Sequence, residues 1–281
     1  MLVVPSLGRD FGWILSSHGN STRPTTSMGQ SVTPGNNTKG SWVQLFSAIA
    51  NQAYAITIMI NNNSVSSAAR DAIVDIGIDE AGGTSYSVKI PDLLGSCATT
   101  VDKTGVMYHF PLGIKAGSTI AARASVNNAT VGALRVWAML YGLPKYPELC
   151  RYGSYVTAYG ITSGSSAGTS ITPGTTSEGS WTSLGTTSQP HWWWQQGMGI
   201  NNSSMNIKLY TMDLGIGDGS NKQVVILDQL WGTDSSERVM NTPVMWGCEY
   251  DAPSGVGVYG RMQCHSSVDT GISMAAYGLG G

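Results

Sequence analysis

The chain has 281 residues, enough for two domains of ordinary size. Only 11% of them are charged, against roughly 25% in a typical soluble protein, and a net charge of -2 leaves no electrostatic footprint for nucleic acid or an anionic membrane. No run approaches the ~18 apolar residues of a membrane-spanning helix, and the opening Met1-Leu2-Val3-Val4-Pro5 lacks the basic and apolar regions of a secretory signal.

In chain order, the first ten residues carry no strong pattern and are expected to form an arm that orders against a neighbour. Phe11 to Leu15 opens the patterned sequence, and Ser31-Val32-Thr33-Pro34-Gly35 with Gly40-Ser41-Trp42 follows. Trp42, Leu45, Phe46 and Ile49 fit helical spacing, yet the matching stretch Trp181-Thr182-Ser183-Leu184-Gly185-Thr186-Thr187 holds Gly and β-branched residues that oppose a helix. A strand followed by a loop is therefore expected, with a short helical turn in the first stretch as the alternative. Period-two alternation then places Tyr54, Ile56, Ile58 and Ile60 on one face of a strand, and likewise Tyr86, Val88 and Ile90, then Leu134, Val136, Ala138 and Leu140. Turn residues separate these runs, as at Ala81-Gly82-Gly83 and Lys115-Ala116-Gly117-Ser118.

The second half says nearly the same thing. Ser170-Ile171-Thr172-Pro173-Gly174 and Gly179-Ser180-Trp181 repeat the first motif at an offset of 139 residues. Asp75-Ile76-Gly77-Ile78 matches Asp213-Leu214-Gly215-Ile216, and Val88, Ile90, Asp92 and Leu94 match Val224, Ile226, Asp228 and Leu230. Tyr141-Gly142 matches Tyr277-Gly278. Alternation recurs at Tyr210, Met212, Leu214 and Ile216 and at Val256 and Val258. A repeat of this length is a whole domain. The expected fold is all-β, with two tandem, internally duplicated antiparallel β-sandwich (jelly-roll-like) domains: residues 1–142, including the arm, and residues 143–281. Pro144 and Pro147 mark the crossing, and Tyr155 to Ile161 opens the second copy.

The reactive residues are few. Cys97, Cys150, Cys248 and Cys264 form no CxxC pair and do not align between the copies, so they are expected to be free thiols. His18, His109, His191 and His265 sit in no triad signature, and no nucleophile elbow, phosphate loop or dinucleotide fingerprint is present. Asp75 with Asp213 and Asp92 with Asp228 could serve as paired carboxylates for glycoside hydrolysis, but the favoured reading has each bonding backbone at a strand end. Asp79-Glu80-Ala81-Gly82-Gly83 and Asp218-Gly219-Ser220-Asn221 are oxygen-rich without the ligand spacing of a calcium loop. No catalytic residue, metal or cofactor is expected. Asn-x-Ser/Thr triplets such as Asn36-Asn37-Thr38 are what an Asn-, Ser- and Thr-rich chain yields by chance.

The cluster His191-Trp192-Trp193-Trp194 stands out, because it falls near Asn51 to Ala55 of the first copy, where there is no tryptophan. In a strand Trp192 and Trp194 share one face and Trp193 takes the other. The four residues are candidates for core packing, for a subunit interface or for glycan contact.

The repeated Thr-Pro-Gly and Gly-Ser-Trp motifs, with Asp75-Ile76-Gly77-Ile78-Asp79 and Ile90-Pro91-Asp92-Leu93-Leu94, resemble a group of tailed-bacteriophage virion proteins. The resemblance covers most of the chain, but its motifs are fold motifs. It implies a non-enzymatic virion component of the capsid-decoration, tail or fibre type, assembled in the host bacterial cytoplasm. The expected partners are further copies of the chain, with a trimer favoured, and other virion proteins, without nucleic acid or membrane. The alternative is a glycan-binding receptor-recognition module using Trp192 to Trp194, and a third reading is a glycoside hydrolase built on the aspartates.

Overall fold

A computed structural model of the chain describes residues 14–18, 29–62, 72–95, 106–127, 133–142, 151–161, 168–200, 208–233, 239–241, 247–265 and 271–281. The N-terminal arm, Pro144 and Pro147 at the crossing, Cys97 and Cys150 lie outside them, as does the position of the domain boundary. The described residues form strands, bridges and turns and contain no helix.

The first half holds β1 (Ile14–His18), β2 (Gln30–Val32), β3 (Gly35–Asn36), β4 (Val43–Phe46), β5 (Ala55–Asn62), β6 (Ala72–Asp79), β7 (Ser87–Gly95), β8 (Val106–Phe110), β9 (Thr119–Val126) and β10 (Leu134–Tyr141). One sheet runs β1-β10-β5-β8, with β2 also on β10, and the other runs β3-β9-β6-β7, with β4 also on β9. The second half holds β11 (Tyr155–Tyr159), β12 (Thr169–Ser170), β13 (Thr182–Thr186), β14 (His191–Ile200), β15 (Lys208–Gly217), β16 (Lys222–Thr233), β17 (Val239–Asn241), β18 (Cys248–Ala252), β19 (Gly257–Cys264) and β20 (Ile272–Gly280). Its sheets run β11-β20-β14-β18, with β12 also on β20, and β13-β19-β15-β16-β17. The order of the first half thus recurs in the second through β1/β11, β5/β14, β6/β15, β7/β16, β9/β19 and β10/β20, while β17 has no counterpart among the described strands of the first half. Among the described strands the pairings are antiparallel except β3 on β9, whose counterpart is the parallel bridge of Gly174 to Gln263, and a second parallel bridge joins Leu112 to Gly153.

The alternation behaves as the pleat demands. Leu134, Val136, Ala138 and Leu140 are buried while Arg135, Trp137 and Met139 are half-buried. Tyr210, Met212, Leu214 and Ile216 are buried in the same way. Residues 43–46 form the expected strand, and 47–50 bend away from it. Val88 departs from its predicted face: it is 40% exposed, whereas Ile90 is fully buried. The register slips between Ile76 and Gly77, so that Ile76 pairs Ile90 and Gly77 pairs Val88. A β-bulge is the cause, and period-two counting cannot see one.

One contiguous apolar core runs through both halves. Polar contacts lock them together. The Tyr277 hydroxyl accepts from the Leu94 amide at 2.9 Å and donates to the Asp92 carbonyl at 3.1 Å. Tyr108 donates to the Leu94 carbonyl at 2.8 Å, and its ring meets Tyr277 edge-on at 5.3 Å. The His109 amide donates to Gln195 at 3.2 Å, and Gly113 and Gly153 continue the seam through backbone bonds.

Candidate functional site

The repeated motifs meet each other in space. In the first half Trp42 lies over Gly77, where an added Cβ would sit 2.6 Å from the indole. In the second half Trp181 lies over Gly215, and an added Cβ would be 2.9 Å away. Glycine is needed here for close approach, which explains why Gly-Ser-Trp and Asp-x-Gly-Ile recur together. The outer face of each indole carries a guanidinium: Arg123 at 4.5 Å from the Trp42 ring centre and Arg261 at 4.4 Å from that of Trp181.

Each arginine turns its Nε to a buried aspartate, Arg123 to Asp75 Oδ2 and Arg261 to Asp213 Oδ2, both at 2.9 Å. The other oxygen of each aspartate accepts a backbone amide across the sheet, from Asp92 at 3.0 Å and from Asp228 at 2.7 Å. Asp92 and Asp228 both have φ of 52°. A left-handed conformation is unusual outside glycine, and Asp tolerates it better than most residues. Of the four aspartates expected to bond backbone at strand ends, Asp75 and Asp213 do accept backbone amides, but from within β6 and β15, whereas Asp92 and Asp228 supply those amides and the Asp92 carboxylate pairs with Lys39.

What the sequence reading missed is the residue at the centre. In the first half the Lys39 ammonium lies 2.6 Å from Asp75 Oδ1 and 2.7 Å from Asp92 Oδ1. In the second half the corresponding residue is Glu178, at the same 139-residue offset as the Thr-Pro-Gly motif. Its carboxylate pairs with Arg261 and stands with those of Asp213 and Asp228, their ligand atoms all within 4.8 Å of one another. Partial desolvation, with Asp213 beside it, raises the Glu178 pKa above the ordinary carboxylate value. The offset was readable from the sequence, but nothing there showed that this surface-type position faces the aspartates.

His191, Trp192, Trp193 and Trp194 begin β14, which sits between β20 and β18. Sequence reasoning left one face of this strand open to solvent or to a subunit. The structure covers both: none of the four is more than 4% exposed. A register shift between His191 and Trp193 turns the start of the strand, β18 continues the sheet beside it, and Gly247 lies against the Trp193 indole. Trp194 packs on His191 and Tyr159 and donates to the Tyr250 carbonyl at 3.0 Å, while Trp193 lies edge-on to Trp192 at 6.2 Å. Trp192 lies beneath the Arg151 guanidinium, 4.6 Å from the ring centre, and Arg151 is paired with Asp251 at 2.7 Å.

Of the four, His191 and Trp192 border a recess of 550 Å³ that Arg151, Tyr155 and Asp251 also line, and Trp193 and Trp194 do not reach it. His191 Nε2 and the Tyr159 hydroxyl share a hydrogen bond of 2.6 Å. His191 Nδ1 and Trp192 Nε1 have no hydrogen-bond partner among the described residues. Burial lowers the His191 pKa to about 4 and raises that of Tyr159 to about 12, so the imidazole is neutral and the phenol protonated near neutral pH. His109, on β8, is held down to about 4 by the same cause. Neither Cys248 nor the buried Cys264 is in a disulfide among the described residues, and burial raises the pKa of Cys248.

No known protein family and no curated protein matches the chain. Among solved structures, it is similar to the glycosylasparaginase PNGase F from Flavobacterium meningosepticum, with 12% identity and a TM-score of 0.38 over 91% of this chain and 94% of that one. It is also similar to the tandem CBM22-1–CBM22-2 domain of Paenibacillus barcinonensis Xyn10C, with 13% identity and a TM-score of 0.30 over 96% and 98%. A chain of the broad bean stain virus structure shares 11% identity and a TM-score of 0.32 over 93% and 92%. At these scores none of them bears on function.

Proposed function

We infer that the chain is a non-enzymatic structural protein of a phage virion, a capsid-decoration or tail/fibre component that packs on the particle through subunit interfaces. The observation that carries this reading is an uncovered apolar face. Leu209, Leu227 and Leu230 are 49%, 64% and 40% exposed on the adjacent strands β15 and β16. The register, with Leu209 opposite Gly232 and Thr211 opposite Leu230, puts Leu209 and Leu230 on one side of the sheet. The counterpart of Leu230 in the first half is Leu94, which is 2% exposed, its side chain facing Gly197 of the second half and its amide bonded to the Tyr277 hydroxyl. A face that is covered by its neighbour in one half and open in the other is suited to a further subunit. A trimer would array six similar sandwiches, and each specific contact would bury about 1,000 Å² or more.

Light scattering on the purified chain, with imaging of intact particles, tests this. Wild type is expected to assemble, and Leu227→Asp with Leu230→Asp is expected to give a folded smaller species. Absence of the protein from purified virions defeats the reading.

The second reading is a glycan-binding module. It draws on the recess beside Trp192, where an arginine–aspartate pair and buried donors border an aromatic wall. A glycan array comparing wild type with Arg151→Ala separates the two, and no signal above background in wild type removes this alternative.

A further inference from the structure

The two halves provide an internal comparison at one position. In the first, Asp75 Oδ1 accepts two donors, the Asp92 amide and the Lys39 ammonium, and Asp92 Oδ1 accepts the same ammonium. Two cations, Lys39 and Arg123, there face two carboxylates. In the second half the same frame is retained: the left-handed Asp228, its amide on Asp213 Oδ1, and Arg261 on Asp213 Oδ2. The ammonium is replaced by a carboxylate. One cation, Arg261, faces three acids, and the Asp228 carboxylate has no ion pair among the described residues. Asp213 is 3% exposed, so water screens its charge poorly.

We propose that Glu178, Asp213 and Asp228 form a binding site for a divalent cation, with the ion standing where the Lys39 ammonium stands in the first half. The equivalent carboxylates, Asp75 and Asp92, already hold a cationic group there. The charge that the Lys-to-Glu exchange removes is two units, which a divalent ion restores. The donors are all carboxylate oxygens, the set that hard ions such as calcium take. Glu178 and Asp228 reach solvent, so water can complete the coordination. The oxygen-rich turns at Asp79 and Asp218 take no part, and this site departs from the expectation of no metal that the sequence alone gave. The proposal is independent of the virion reading.

The test is calorimetric titration of the full chain with calcium chloride after chelator treatment, alongside thermal melts. Wild type is expected to bind one calcium ion with a dissociation constant at or below about 1 mM and to melt at a higher temperature when loaded. Glu178→Lys, which installs the first half's arrangement, is expected to lose binding at least tenfold and to melt at a temperature indifferent to calcium. Glu178→Gln, which keeps the shape of the side chain, is expected to bind several-fold more weakly and serves if the lysine variant fails to fold. Terbium gives the location: luminescence sensitised by the nearby Trp181 should fall in Trp181→Phe while affinity is kept. No heat and no melting shift in wild type at several millimolar calcium overturns the proposal, and so does undiminished binding by both Glu178 variants.

Discussion

Replacing Asp75 by Ala should destabilise the protein more than replacing Asp213 by Ala, although the two occupy the same place in the repeat. Asp75 is 5% exposed and accepts from Lys39, Arg123 and the Asp92 amide. Removing it orphans a backbone amide and takes one partner from each of two charged donors. A hydrogen bond to a charged group contributes about 1.5–3 kcal/mol, and an unsatisfied buried group costs about 1–3 kcal/mol. Lys39 keeps its bond to Asp92, and Arg123 stays on Trp42 and is 30% exposed to water. The loss is then about 3–5 kcal/mol, the range for breaking a buried pair from one side. At Asp213 the same deletion also relieves repulsion from Glu178 and Asp228, so its cost in calcium-free buffer should be smaller by about 1 kcal/mol or more. Urea unfolding followed by tryptophan fluorescence and circular dichroism reads the difference as a shift in midpoint at constant slope. Equal losses, or a larger loss at Asp213, would refute the view that Lys39 and Glu178 make the two clusters electrostatically unlike.

Three further outcomes are expected. His109 and His191 have pKa values of about 4, below the ordinary 6.5, so the unfolded chain takes up protons first on acidification. Stability should be level above pH ~6.5 and fall toward pH ~4, by at most about 1.4 kcal/mol per pH unit for each histidine; a flat profile across that window would count against their neutrality. Gly215→Ala should push Trp181 off the sheet at a cost of about 1–3 kcal/mol, with a changed near-ultraviolet circular dichroism signal, and Gly77→Ala should do the same through Trp42. Arg151→Ala should uncover Trp192 and raise its quenching by acrylamide, with a stability change under about 1 kcal/mol because the Arg151–Asp251 pair is exposed.

The repeat, the strand class and much of the core were legible in the residues. Alternation at Leu134 to Leu140 and at Tyr210 to Ile216 marks the buried faces because a pleated strand sends every second side chain the same way. The paired Gly-Ser-Trp and Asp-x-Gly-Ile motifs marked a conformation that both halves need, and the structure supplies the reason in indole rings resting on Gly77 and Gly215. Composition also bore on surface character, since a chain with 11% charged residues has few charges to spread over its exterior.

The exposure of Val88 depended on a bulge and the burial of Trp193 on Gly247 lying against its ring, and both are set by partners far along the chain. The seam between the halves joins Leu94 to Tyr277, residues that no local pattern associates. The cluster around Asp213 arose in the same way, from strands and a loop brought together across the sheet. Local periodicity fixes which way a side chain points, because that is set by backbone geometry within a few residues. What it then meets is set by the packing of distant segments, and so the opposite charges of Lys39 and Glu178 acquired a meaning only when each was seen facing its pair of aspartates.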